Sequence, residues 1–273
     1  MSSTNAEHRS GQGADRGVEV QRCGAVATVW LNRPEVRNAF DAATIAAIHE
    51  VFVALGTDAD VRVVVLAGRG ATFCAGADLN WMKASSGYSQ EQNHADAVKL
   101  ARMLAAVSTC PKPVIARVHG DAFGGGFGLI AAADMAIAAA DARFALTEVR
   151  FGLIPAAIGP YVLAAIGARA ASRYMLTGEQ MTAPEAHRLG LVHEIATPEQ
   201  LDAAVQRLID KLLLGGPEAI AASKRLIREI AGRTVDAALI ADTAARSATA
   251  RASLEGREGM EAFLNKRKPA WIR

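Results

Sequence analysis

The stretch VRVVVLAG at 61–68 is apolar at nearly every position. A short, β-branched run of that kind is the pattern of a strand buried on both faces. Such a strand needs cover above and below, which a helix-flanked parallel sheet supplies. The surrounding segments follow the same grammar. AVATVWL (25–31) reads as a strand and NRPEVRNA (32–39) as an irregular turn. Asp41 then stands in N-cap position ahead of Ile45, Ile48, Phe52 and Leu55 at helical spacing. After the loop RGATFCAGAD (69–78), Ala97, Ala101, Leu104 and Val107 mark a helix that ends before Pro111, and PVIARV (113–118) is a further strand. This β–α–β–α alternation predicts an α/β fold on a mainly parallel sheet. Beyond about residue 160 the pattern turns helical, with amphipathic stretches at 201–216, 217–230 and 236–254. The expected organisation is a loose tail over 1–17, a core over 18–200, and a helical region over 201–273. That last region is expected to pack on another copy or back on its own core.

At 273 residues with 51% apolar composition, the chain can bury a sizeable core, which excludes a disordered class. Its 30 basic residues are scattered and nearly balanced by 28 acids, so there is no nucleic-acid footprint. Cys23, Cys74 and Cys110 are isolated, odd in number and without metal-ligand spacing, which fits the reducing cytoplasm better than a disulfide framework. No apolar run reaches the roughly 20 residues of a membrane span. The opening MSSTNAEHRSGQGADRG is polar and contains acids, unlike a signal peptide or presequence.

The chemistry concentrates in HGDAFGGGFGLIAAADMA (119–136), where three glycines stand between a strand and a helix-compatible run. Glycine admits close approach of a ligand or another backbone. A helix start offers unpaired N–H groups and partial positive charge. The glycines lack the GK[ST] ending of a phosphate-binding loop, and Gly68-Arg69-Gly70 lacks the third glycine of a dinucleotide fingerprint. There is no GxSxG elbow. Cys74 reads as a small buried thiol rather than an activated nucleophile, and His119 as a hydrogen-bonded structural residue rather than a catalytic one. Two loops remain, FCAGADL (73–79) and AFGGGFGL (122–129), each directly after an apolar strand. Parallel strands bring such loops to one sheet edge, where two backbone N–H groups can converge on an oxyanion.

The chain resembles the crotonase (enoyl-CoA hydratase/isomerase) superfamily along nearly its whole length. The resemblance is carried by LNRPEVRNAF, FCAGADLNWM, AFGGGFGLIAAAD, ARFALTEVRFGLIPAAIGPYV, LTGEQMTAPEAHRLGLVHEI and EGREGMEAFLNKRKPAW, in the family's order. It implies a spiral of ββα units with C-terminal helices used in assembly, as trimers or hexamers. By motif position, Ala77 and Gly125 are the backbone donors to the thioester oxygen of an acyl-CoA. Ala75, Asp78 and Leu79 belong to the same binding loop. The family's pattern also points to Arg37 near the CoA phosphates or adenine, and to Phe263 and Lys266 from a neighbouring subunit. Solvated charge, for the two cations, and a core aromatic, for Phe263, are equal alternatives. Coenzyme A is then part of the substrate, no separate cofactor or metal is implied, and the partners are an acyl-CoA and further copies of the chain.

Hydratases of this family usually carry two glutamates. The second matches Glu148; the first, which ends the GGGxE motif, falls on Gly128. A glutamate like Glu148 read alone would be a surface residue at a helix start, and the surrounding motif is what makes it an acid–base candidate. Asp121 is a candidate replacement for the missing acid, although a turn-forming role is the simpler reading. Within the superfamily the combination of FCAGADLNWM, EVRFGLIPA and KRKPAW most resembles bacterial methylglutaconyl-CoA hydratases of leucine breakdown. Such a substrate carries a distal carboxylate, for which Arg150 is a candidate partner. The resemblance therefore implies hydration of a conjugated, branched or carboxylated enoyl-CoA. A double-bond isomerase using Glu148 alone, and a catalytically silent acyl-CoA binder, are the alternatives.

Overall fold

A computed structural model describes residues 16–272, so residues 1–15 of the expected tail lie outside the described residues. The expected strand appears as β2 (Val26–Leu31), but it is the second arm of an antiparallel hairpin whose first arm is β1 (Val18–Cys23). From β2 onward the main sheet is parallel, through β3 (Val63–Gly68), β4 (Val114–Val118), β6 (Met135–Ala139) and β9 (Glu194–Ala196). A second sheet of three short strands, β5 (Ala122–Phe123), β7 (Arg143–Ala145) and β8 (Met181–Thr182), stands beside it.

Residue alternation along the strands divides the core into two layers. Val64, Leu66, Ala116, Val118 and Ala138 face one side. There they meet α1 (Ala42–Thr57), α3 (Gln90–Thr109), α4 (Gly125–Ala132) and α5 (Gly159–Thr177). Val63, Val65, Ile115, Ile137 and Ala139 face the other side and are covered by Leu201, Ala204, Val205 and Ile209 of α7 (Leu201–Leu214). This explains why VVVLAG carries no polar residue: all six positions of β3 are buried.

Asp41 caps α1 as expected, its carboxylate accepting from the Thr44 N–H at 2.7 Å. Ile45, Ile48, Phe52 and Leu55 are all buried. On α3 the expectation needs correction. The inward face is Met103, Leu104 and Val107, whereas Ala97 and Ala101 are exposed. The boundary expected at 200/201 also falls inside a packed unit, because α7 covers β3, β4, β6 and β9 on one face of the sheet. Only α8 (Pro217–Ile230), α9 (Ala237–Ala252) and α10 (Leu254–Leu264) stand outside that two-layer core. They leave Ile227, Ile240, Leu254, Phe263 and Leu264 exposed on a single chain. The remaining helices, α2 (Leu79–Ser85) and α6 (Ala183–Leu189), are short; α2 opens directly from the AGAD loop.

Candidate active site

The NRPEVRNAF segment folds into a 3-10 turn (Pro34–Val36) followed by two left-handed residues, Arg37 (φ 55°) and Asn38 (φ 56°). Asparagine tolerates this region better than most residues, and here its side chain fixes the turn. Asn38 Oδ1 accepts from the Arg33 N–H at 2.9 Å, and Nδ2 donates to the Arg69 and Thr72 carbonyls, each at 2.8 Å. The turn in turn holds the AGAD loop. Ala75 N–H donates to Arg37 O, Phe40 N–H to Gly76 O, and Asp78 N–H to Phe40 O. From the other side, Cys74 N–H donates to Asp121 O and Phe123 N–H to Cys74 O. Both glycine-bearing loops are thereby clamped against each other, as expected of neighbouring parallel strands.

Between them lies a cavity of about 290 Å³. Its wall includes Phe40, Ala75, Gly76, Ala77, Leu79, Trp81, Gly124, Gly125 and Glu148, closed by apolar side chains from 151–158. The two bonds between Phe40 and the loop leave the Ala77 N–H on the edge turned away from Phe40. Among the described residues it donates to nothing, and neither does the Gly125 N–H at the first position of α4. Such groups at a helix start carry partial positive charge. Gly124 adopts φ 50°, ψ −115°, a conformation open to glycine, and a β-carbon there would stand 3.3 Å from Glu148 Oε1. At Gly125 the structure corrects the expectation. The missing side chain makes room for Phe40, whose ring Cε2 would be 2.7 Å from a β-carbon, rather than for a ligand alone.

Among the described residues, Glu148 is the one titratable side chain in the wall. It opens a 3-10 turn (Glu148–Phe151), and its Oε2 is buried without a hydrogen-bond partner among the described residues. Burial pushes its carboxyl above the usual range, against a smaller opposing pull from its own backbone N–H. Gly128 lies one helical turn beyond Gly124, to whose carbonyl its N–H donates at 3.0 Å. No side chain fits there: a β-carbon would stand 2.2 Å from Ile158 Cγ2 and 2.8 Å from Ile158 Cβ. The place expected for a first glutamate is therefore filled by isoleucine.

The other expected residues divide. Ala75, Ala77 and Leu79 line the cavity. Asp78 does not; its carboxylate caps α2 through the Asn80 and Trp81 N–H groups and meets Arg33 at 3.1 Å. It shapes the loop that carries Ala77. Arg37 is exposed beside the loop and reaches it through its carbonyl. Phe263, 83% exposed, and Lys266 lie outside the cavity wall of their own chain. Asp121 binds Cys74 through its carbonyl and is absent from the wall. Arg150 is also outside it, its side chain lying over Gly178. No Lys or Arg lines the cavity among the described residues.

Cys74 is fully buried, with its thiol pushed up to about 12 by burial, so Cys74 is not a thiolate nucleophile at neutral pH. His119 hydrogen-bonds through Nε2 to the Gly70 carbonyl at 2.8 Å, as a structural residue, and burial lowers its pKa. Among the described residues no group of His, Cys, Asp and Glu could hold a metal ion, and no helix is long and apolar enough to cross a membrane. Sequence reasoning missed Asn38, Arg33 and Ile158. Asn38 and Arg33 stand in a quoted motif, but the partners through which they hold the site, Arg69, Thr72 and Asp78, are distant in sequence. Ile158 reads as ordinary core.

Two unpartnered N–H groups and one carboxyl in an apolar cavity can hold a carbonyl oxygen, stabilise negative charge on it, and move a proton beside it. The family model for enoyl-CoA hydratase/isomerase matches residues 21–273. The chain is 33% identical to the crotonyl-CoA hydratase of Syntrophomonas wolfei over 249 residues, 90% of this chain and 94% of the relative. It is 34% identical to the 2,3-dehydroadipyl-CoA hydratase of Escherichia coli K12 over 253 residues, 92% of this chain and 96% of the relative. The crystal structure of an enoyl-CoA hydratase from Shewanella pealeana superposes with a TM-score of 0.91 at 42% identity, covering 93% of this chain and 96% of that one. The Pseudomonas aeruginosa protein AtuE gives 0.90 at 35% identity, covering 94% and 100%. This chain, by sequence and by fold, belongs to the enoyl-CoA hydratase/isomerase family.

Proposed function

We propose that the protein adds water across the conjugated double bond of a branched enoyl-CoA, with Glu148 as its single acid–base group. The observation that carries this reading is the pair of unpartnered N–H groups, Ala77 and Gly125, on the same cavity wall as a buried carboxyl. The thioester carbonyl oxygen accepts from both. Glu148 as carboxylate takes a proton from water while the hydroxyl oxygen bonds to Cβ and the π electrons move onto the thioester oxygen. The enolate so formed is stabilised by the two donors, each of which is worth about 2.7–4 kcal/mol in sites of this kind. Glu148, now protonated, returns the proton to Cα. Water has been consumed, and the carboxylate is regenerated.

Gly128 favours a second reading. A lone carboxyl is enough to carry a proton between two carbons of an enolate, which makes double-bond isomerisation the alternative. Within the hydration reading, 3-methylglutaconyl-CoA is the substrate that the sequence resemblance favours. Its branch suits the apolar wall at 151–158. Its distal carboxylate meets no cation in that wall, so the uncharged branched analogue 3-methylcrotonyl-CoA is the better fit. The S. wolfei and E. coli relatives are named for hydration of crotonyl-CoA and of the longer 2,3-dehydroadipyl-CoA, which supports hydration across different acyl chains.

Product analysis with crotonyl-, 3-methylcrotonyl-, 3-methylglutaconyl- and 3-enoyl-CoA side by side tests this. Loss of the conjugated-thioester absorbance on a 2-enoyl-CoA is expected. Gain of that absorbance from the 3-enoyl-CoA alone would establish the isomerase, and binding without conversion a silent member.

We further propose that the protein works as a trimer or hexamer, with Phe263 and Lys266 of one subunit completing the CoA site of the next and Arg37 meeting the CoA phosphates. The uncovered apolar side chains of α8 to α10 support this.

A further inference from the structure

The space beyond Gly128 is where this chain departs most from a two-carboxylate site. Ile158 stands immediately before α5 and is 3% exposed, yet it contributes to the cavity wall. Its Cγ2 lies where a β-carbon on Gly128 would project, with Leu104 Cδ2 behind at 3.7 Å from that same point. Glu148 sits against Gly124 and Ile158 against Gly128, one turn of α4 apart. The residues just before Ile158 are Ala156 and Ala157, so the branched side chain at 158 is the bulk of this part of the wall.

We infer that Ile158 is a specificity-determining residue: seated in the space that a side chain at position 128 would take, it sets the size and branching of the acyl chain that the cavity accepts. The inference rests on the acyl-CoA hydration reading and deepens it. The physical reason is packing. A rigid aliphatic wall discriminates by the methylenes that fit against it, and one methylene more or less in such a pocket typically changes kcat/KM by about 10–200-fold. A carboxylate at position 128 would instead have offered a hydrogen-bonding wall and tolerated water beside the chain.

The test uses wild type, Ile158→Val, Ile158→Ala, Gly128→Ala and the double Gly128→Ala/Ile158→Ala variant. Hydration is measured on crotonyl-, 3-methylcrotonyl- and 2-hexenoyl-CoA, and binding on the saturated butyryl-, 3-methylbutyryl- and hexanoyl-CoA. Ile158→Ala is expected to raise the hexenoyl-to-crotonyl ratio of kcat/KM at least about tenfold, with Ile158→Val between it and wild type. Gly128→Ala alone should lose activity and thermal stability, and the Ile158→Ala background should restore both. Unchanged substrate ratios in folded, active Ile158 variants would overturn the assignment while leaving the hydration reading intact. A wild type that hydrates none of the three thioesters would overturn that reading, and Ile158 would then be judged on the binding series. An acyl-chain preference that Ile158→Ala fails to alter there overturns the assignment too.

Discussion

The Lys224 ammonium lies 2.6 Å from Asp134 Oδ2 and 3.1 Å from the Lys112 carbonyl, and the same Oδ2 accepts from the Val114 N–H at 2.7 Å. One lysine on α8 thus ties the C-terminal helices to the start of β4 and to the turn between α4 and β6. Lys224 is among the few buried charged residues, at 8% exposure. Burial raises the Asp134 carboxyl above its ordinary range despite the opposing pull of Lys224. Removing the cation would leave that carboxylate without its partner.

Lys224→Met is therefore expected to destabilise the fold by about 3 kcal/mol, the low end for breaking a buried pair, because the Asp134 side chain keeps some access to water. Urea unfolding reads this as a lower midpoint at unchanged slope. Adding Asp134→Asn should recover part of the loss, since the amide oxygen still accepts from Val114. A double variant as unstable as the single would show that the pair is not the cause.

Gly125 separates packing from chemistry. With the Phe40 ring only 2.7 Å from where a β-carbon would stand, Gly125→Val is expected both to abolish turnover and to strain the fold, by about 1–3 kcal/mol as overpacked cores do. Gly125→Ala in a Phe40→Leu background relieves the clash and keeps the N–H in place. That double variant should regain both thermal stability and turnover. Stability without turnover would mean that the position of the N–H, and not only the space beside it, depends on the ring.

The exposed apolar side chains on α8 to α10 give a solution test of assembly. Static light scattering at micromolar protein is expected to give three or six times the 28.6 kDa chain mass. A monomeric mass would leave Phe263 and Lys266 without a site to complete.

Much of this architecture was legible from local pattern. The apolar run at 61–68, the Asp41 cap and the helices at 201–216 and 217–230 follow from period and capping chemistry, which neighbouring residues dictate. β1 escaped because VEVQRC mixes charge into an edge strand that needs only one buried face. Ala97 and Ala101 misled because alanine fits an exposed helical face as well as a buried one. At the site, Ala77, Gly125 and Glu148 came with their motifs. Asp78 and Ile158 were legible only in three dimensions: one is spent on a cap and on Arg33, the other on filling the space beside Gly128. Arg150 qualifies by its charge, but its side chain lies over Gly178, outside the cavity wall.

Glu148 carries the last prediction, in two opposed directions. Glu148→Gln keeps shape and hydrogen-bonding capacity but cannot cycle a proton, so acyl-CoA binding should persist while kcat falls by roughly 10²–10⁴-fold. Asp121→Asn, outside the wall, should have little effect by comparison. The pH profile of kcat/KM should rise with ionisation of a carboxyl whose pKa burial has raised, and this limb should vanish in the glutamine variant. Stability should move the other way. A carboxyl with a raised folded-state pKa binds its proton more tightly in the native state than in the unfolded chain. Its ionisation therefore costs stability as pH climbs from the unfolded carboxyl value of about 4.3 through the folded one. At neutral pH Glu148→Gln is expected to melt higher than wild type, and the two curves should converge below about pH 4. Thermal melts of both proteins across that range measure the difference directly, with the contribution of Asp134 cancelling because both share it. A glutamine variant that is less stable at pH 7 would show that the carboxylate is held by favourable contacts, and one that is equally active would show that it is not the proton carrier.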